Sequence, residues 1–334
     1  MTSRTRPVLL LPLLLFSLCT AFLVQPMSAS ASTHPHRKIR APVAVHPSHT
    51  GKPSFAWQKG YHPSKKGRHS NAGPTTSNLI YQGGSVMTGS VQVFEIFWEP
   101  TGSTVDPSYH DLLTRYFTDV GTSPLYQNNT QYTDSTGNAP QSSALAATWV
   151  DTTTPYPANP MLDSDIQSEV QNAVAMNGWA PSIDNIFFVY LASSEVLCFD
   201  AAHTACSGPN GQFCAYHSSF TLAGGNDPFI YSAMPYDGDT LNGCYALNTS
   251  PNNDPAADAE ISTTSHEQME AATDPVPPSG WVGVNGVSDE IGDKCAYQYL
   301  QINDDGSNVN WNGNPYIVQS EWDNNVTGCA LAGP

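Results

Sequence analysis

Downstream of Asn71 the chain is almost without positive charge. Only Arg115 and Lys294 stand there against all 29 acidic residues, and the other ten of its 12 Lys and Arg residues lie upstream. That shortage excludes nucleic acid as a partner of the acidic part, because binding to phosphate needs a basic surface that displaces counterions. A Gly-rich phosphate cradle, a dinucleotide fingerprint and a GxSxG elbow are also missing, so nucleotide chemistry and elbow-type serine hydrolysis find no support. No two cysteines have the CxxC spacing of a zinc ribbon. After the run from Val8 to Val24, no stretch is long and apolar enough to span a bilayer.

What is present first suggests export. Arg4 and Arg6 precede the apolar run, and Ser28-Ala29-Ser30-Ala31-Ser32 suits signal peptidase, so residues 1–32 read as a signal peptide. The expectation is a secreted, extracellular protein with no membrane contact after cleavage. Cys198, Cys206, Cys214, Cys244, Cys295 and Cys329 remain, an even set that predicts three disulfides whose pairing the spacing does not choose.

Residues 33–77 carry Arg37, Lys38, Arg40, Lys52, Lys59, Lys65, Lys66 and Arg68 among Pro, His, Ser and Gly, without an acidic residue. Too little is apolar to form a core, so the segment reads as a disordered linker, a pro-segment that pairs with the acidic domain, or an arm that touches anionic cell-wall polymer. Residues 78–334 then read as one domain. Its acidity points to solubility, cation binding, or a low working pH.

Within that domain Val91–Trp98 reads as a strand and Asp106–Val120 as a helix with Asp106 as cap. Ala144–Val150 reads as a short strand and Asp163–Met176 as a second helix, with Ile166, Val170, Ala173 and Val174 inward. Asn185–Leu191 is expected as a strand buried on both faces, with further strands at Gln212–Phe220 and Pro228–Met234. Asp254 and Pro255 open a helix that runs to about Thr273, where Pro275 forbids continuation. The order predicts an α+β fold: a zincin-like mixed sheet with helices, an active-site helix after the strands, and a disulfide-stapled C-terminal part.

The motif that carries chemistry is Ser265-His266-Glu267-Gln268-Met269-Glu270, near the end of that last helix. Residues four apart share a helical face, so His266 and Glu270 can hold one metal ion with Glu267 beside it. This is the zinc-peptidase layout His-Glu-x-x-His with a carboxylate for the second imidazole. A third ligand is expected from Asp289-Glu290-Ile291-Gly292-Asp293, with Glu290 and Asp293 ranked equal and Asp289 behind. Glu267 is then the general base that takes a proton from water polarised by the ion. Zinc is the expected ion, with Mn or Ca as alternatives because a carboxylate ligand suits a harder cation. His217, on a strand, is expected either as a ligand or oxyanion donor or as a packing residue. The plain alternative for the helix motif is that His266 packs or caps and its carboxylates are solvated.

Several pieces of the chain resemble the plant phosphate-induced protein 1 and Exordium-like secreted proteins and their bacterial relatives. They are Tyr81-Gln82-Gly83-Gly84, Phe213 to His217, Ser265-His266-Glu267 with Glu270 and Pro275, Gly280-Trp281, Glu290 to Asp293 before Cys295, and Trp311-Asn312-Gly313 onward to Cys329. The resemblance spans about Ile80 to Cys329. It implies an extracellular protein associated with cell-wall growth, without an established reaction, and it supports Glu290 and Asp293 as family positions. The family pattern admits Asn where this chain has Asp274, which speaks against Asp274 as an obligatory ligand. The basic N-terminal segment and the strong acidity depart from the family.

Three functions follow as expectations. One is a secreted zinc metallopeptidase-like hydrolase acting on a peptide or protein. Another is a non-catalytic cell-wall or growth-signalling protein on the same scaffold. The last is a glycoside-directed enzyme, with Trp98, Trp149, Trp179, Trp281, Trp311 and Trp322 as material for a sugar platform.

Overall fold

The structure, a computed structural model, describes residues 60–65, 76–245 and 247–334. The signal segment and most of the basic segment lie outside the described residues. The architecture below belongs to the unit Ala44–Pro334.

Its centre is a six-stranded mixed sheet. The strands are β1 (Gly60–Pro63), β2 (Gly89–Trp98), β3 (Pro140–Asp151), β4 (Asn185–Leu191), β5 (Phe213–Phe220) and β6 (Phe229–Met234), in the spatial order β1-β5-β6-β4-β2-β3. β3, β2, β4 and β6 run parallel to their neighbours, whereas β5 pairs antiparallel with β6 and β1 antiparallel with β5. Helices α1 (Tyr109–Val120), α2 (Asp163–Asn177) and α3 (Pro255–Thr273) complete the layers.

Strand periodicity sorts the core. Ile186, Phe188 and Tyr190 of β4 join α1 and α3 on one face of the sheet, while Phe187, Val189 and Leu191 meet Ile166, Val170 and Ala173 of α2 on the other. A strand apolar on both faces is what a sheet covered by helices on both sides requires. Trp98, Trp311 and Trp322 are buried among these residues and are core material.

Three local readings change. α1 begins at Tyr109, because the Asp106 carbonyl accepts the Tyr109 N–H at 3.1 Å in a turn before it and Ser108 takes the cap position. β3 is longer than expected and runs beside β2 along its whole length. Gly60–Pro63 lies upstream of the expected domain start near Asn78, yet it extends the sheet as its edge strand. The three expected disulfides are Cys198–Cys206, Cys214–Cys244 and Cys295–Cys329. Among the described residues no helix is long and apolar enough to cross a membrane, and three disulfides suit an oxidising compartment.

Two carboxyls are buried on opposite faces of the sheet, Glu95 under α1 and Glu169 on α2. Burial pushes Glu95 up to about 7 although Thr148 and Thr114 donate hydroxyls to it, and burial with the neighbouring Asp151 pushes Glu169 up to about 8. Both pKa values are raised on folding, so the stability each contributes is complete below the ordinary carboxylate range and is lost as pH climbs towards 7–8. Glu169→Gln removes that dependence. Its Tm should match the parent near pH 4.5 and exceed it by a few degrees near pH 8, on the order of 2 kcal/mol. A constant difference across that range, read by calorimetry, contradicts the assignment.

Candidate metal centre

α3 is capped as its sequence demands: the Asp254 carboxylate accepts the Ala257 N–H at 3.0 Å, and Pro255 occupies the first turn. Every residue from Ala256 to Thr273 is buried. A helix rich in Ala, Ser and Thr lets neighbours approach from all sides, and several of its polar groups are matched. Thr263 donates to Asp237, Thr264 meets Tyr190 at 3.1 Å, and the Gln268 amide links Tyr116 and Ser143 at 2.9 and 3.0 Å. The solvated-face reading of the motif is therefore wrong, since the carboxylates lie inside.

The last turns of α3 differ, and here all six residues expected at the site come together. His266 Nε2 lies 2.9 Å from Glu270 Oε1 and 4.0 Å from Asp293 Oδ1. β5 brings His217 against the same helix, with Nδ1 3.2 Å from Glu267 Oε2 and 3.6 Å from Glu270 Oε2, and Nε2 3.8 Å from Glu290 Oε1. His217 Nε2 also sits 3.1 Å from the Asp274 carbonyl, which fixes its ring. The Asp293 N–H donates to Glu270 Oε1 at 3.1 Å.

Gly292 explains why the Glu290–Asp293 loop can reach His266. A Cβ at Gly292 would stand 2.6 Å from His266 Nδ1, so only glycine lets this backbone cover the imidazole. Asp289 is drawn off to Lys294 Nζ at 2.7 Å, in agreement with its lower rank. The Cys295 disulfide does not join the loop to α3. It ties it to Cys329 in the C-terminal hairpin, β7 (Glu321–Asp323) with β8 (Gly328–Ala330).

That hairpin supplies residues the sequence did not single out. Glu321 is fully buried, and neither of its oxygens has a hydrogen-bond partner. Gln319 accepts the Tyr297 N–H at 2.9 Å and turns its amide nitrogen to His266 Nδ1. Ligation through Nε2 calls for the proton on Nδ1, so the Gln319 amide must turn over to accept it and give up the Tyr297 N–H. On the opposite side β1 lays His62 against the site: its N–H donates to Glu267 Oε1 at 3.0 Å, and its ring lies 4.3 Å from that of His266. Glu321 and Gln319 belong to no spacing pattern, and His62 lies in a stretch whose composition reads as linker.

The electrostatics are lopsided. Glu267, Glu270, Asp274, Glu290, Asp293 and Glu321 are all buried here, and the facing cations are imidazoles. Burial would lower His217, but hydrogen bonds and charge from Glu267 and Glu270 outweigh it and hold the ring up at about 10. Burial would raise Glu270, but the nearby imidazoles, His266 first, bring it down to about 2. Burial, followed by the charge of Glu270, pushes Glu290, Asp293 and Glu321 well above the ordinary carboxylate range. Burying an ion costs several kcal/mol, whereas a whole domain is stable by only about 5–15 kcal/mol, so this many carboxylates need protons or cations.

Orphaned donor atoms fit a metal. His266 Nε2, Glu270 Oε2 and both oxygens of Glu290 are buried without hydrogen-bond partners. Two groups, His266 with Glu267 and Glu270, and His217 with Glu270 and Glu290, each offer ligand atoms within 4.8 Å of one another. Imidazole with carboxylate is a donor set for Zn or Mn. Surface clefts of about 370 and 330 Å³ open beside Tyr236, at the other end of α3, and not at His266. No protein-family model, curated protein or solved structure matches the chain.

Gly292→Ala should drive the His266 ring from its place. The expected outcome is a loss of about 1–3 kcal/mol of stability, as for other overpacked sites, with weakened binding of added Zn or Mn. Unchanged Tm and unchanged metal titration would show that the loop does not set the imidazole.

Proposed function

We propose that the chain is a secreted, cation-dependent hydrolase, zincin-like in layout, that cleaves extended polypeptide. One observation carries this reading: His266, Glu267 and Glu270 meet His217, Glu290 and Asp293 in a buried cluster in which His266 Nε2, Glu270 Oε2 and both Glu290 oxygens have no hydrogen-bond partner. Zinc is the first candidate, with manganese or calcium as harder alternatives. His266, Glu270 and Asp293 are the proposed ligands, and Glu290 stands on the His217 side. When bound, such an ion polarises a carbonyl and acidifies water.

The protein groups supply the rest. Glu267 accepts the proton of the attacking water and returns it to the leaving amine. Its Oε1 already takes the backbone N–H of His62, the kind of group a bound peptide presents. His217, with Nε2 held near the Asp274 carbonyl, orients the Glu267 carboxylate and offers positive charge to an oxyanion. For the substrate, the support is β1 itself. An extended stretch of this chain adds antiparallel to the β5 edge, with Gly60 opposite His217 and His62 opposite Ala215.

Full burial of the cluster favours a second reading, an Exordium-like extracellular protein that keeps the scaffold without catalysis. Kinetics separate the two. With peptide or casein as substrate, Glu267→Gln should lose activity by at least ~100-fold while retaining its ion and its Tm. Absence of hydrolysis by the parent, in every form of the chain, supports the scaffold instead. Because β1 occupies the edge, a chain that starts at Thr76 should hydrolyse peptide faster than one that starts at Thr33. Equal rates mean that β1 does not compete with substrate.

A further inference from the structure

The shape of the cluster around Glu270 exceeds what one ion can use. Glu270 directs its two oxygens to different imidazoles: Oε1 lies 2.9 Å from His266 Nε2, and Oε2 lies 3.6 Å from His217 Nδ1. His266 and His217 come from different elements, α3 and β5. Each is backed by its own partner on the ring nitrogen away from Glu270, Gln319 for one and the Asp274 carbonyl for the other. The carbonyl at His217 is the usual support for a ligating imidazole, and the Gln319 amide gives the same support to His266 when its oxygen faces Nδ1.

Glu290 adds an independent observation. It is fully buried, neither oxygen has a hydrogen-bond partner, and it faces His217, which lies 3.8 Å away. It belongs to the group that holds His217, not to the one that holds His266. A single ion ligated by His266, Glu270 and Asp293 leaves Glu290 buried and outside its coordination. Glu321, fully buried with neither oxygen hydrogen-bonded, is a further orphaned carboxyl on the hairpin tied to the same loop.

We propose that the cluster is built for two divalent cations that share Glu270 as a bridging carboxylate. One position is formed by His266, Glu270 and Asp293 with Glu267 beside it, the other by His217, Glu270 and Glu290. The ligand atoms of His217, Glu270 and Glu290 lie within 4.8 Å of one another, as do those of His266, Glu267 and Glu270, which suits bonds of about 2.0–2.2 Å, and Asp293 Oδ1 stands 4.0 Å from His266 Nε2 at the edge of the first position. Two divalent cations also compensate the buried carboxylates far better than one, without requiring that most of them be protonated. Paired cations bridged by a carboxylate clamp the attacking and leaving groups of a hydrolysis from both sides. The inference rests on the cation-dependent reading above and extends it to a second ion, which takes over the positive charge assigned there to His217, whose imidazole is then a neutral ligand.

Stoichiometry and spectroscopy test it on the purified secreted chain. After chelation and reloading with Mn²⁺, elemental analysis should find two ions per chain, and the electron paramagnetic resonance spectrum should show exchange coupling between them. Glu290→Gln should hold one ion and give the spectrum of isolated Mn²⁺. His266→Ala should also hold one, and Glu270→Gln should lose the coupled signal altogether. One ion in the parent, unchanged by Glu290→Gln, overturns the second position but leaves the cation-dependent reading intact. No ion in the parent overturns both. If Glu290→Gln does not fold, the stoichiometry and coupling of the parent still decide the matter.

Discussion

Glu270 sits where two imidazoles and three further buried carboxylates converge, and compensation of that charge is the constraint on which the surrounding architecture depends. Each ion removed from water costs several kcal/mol, so a cluster of this kind persists only where opposite charge arrives with it. The protein brings His217 and His266, and its remaining cation in this region, Lys294, is engaged by Asp289. In the proposed reading divalent cations supply the remainder.

The rest of the fold holds the cluster rigid and dry. α3 is threaded through the core instead of lying on it, which its small residues permit and its paired polar groups require. β5 delivers His217 from the sheet, and the loop around Gly292 closes over His266 because that position has no side chain. The Cys295–Cys329 disulfide couples this loop to the hairpin that carries Glu321, so ligand loop and carboxylate wall are fixed together. The strand at Gly60–Pro63 covers the remaining side. Its position on an edge next to Glu267 gives the extended-peptide reading a physical basis.

Much of this was legible in the sequence where local rules carry the information. A cap at Asp254, Pro255 in the first turn and Pro275 after the last set the limits of α3, and i, i+4 spacing put His266 and Glu270 on one face. The acidic run before Cys295 pointed to Glu290 and Asp293, and the strand pattern from Phe213 exposed His217 as a candidate. What stayed hidden depends on long-range packing. The burial of α3 on every side has no signature in a helix without an apolar stripe. Glu321 and Gln319 acquire meaning only once the hairpin folds back on the ligand loop. Disulfide pairing is likewise a property of the fold, and a four-residue edge strand such as Gly60–Pro63 is too short to leave a periodicity.

Crystals of the secreted protein grown with zinc or manganese, with diffraction recorded at the absorption edge of the metal, address the central claim most directly. The account predicts anomalous density about 2.0–2.3 Å from the Glu270 carboxylate and at bonding distance from at least one of His266 and His217. Glu270 surrounded only by protein groups and water under those conditions, with no anomalous peak, would contradict it.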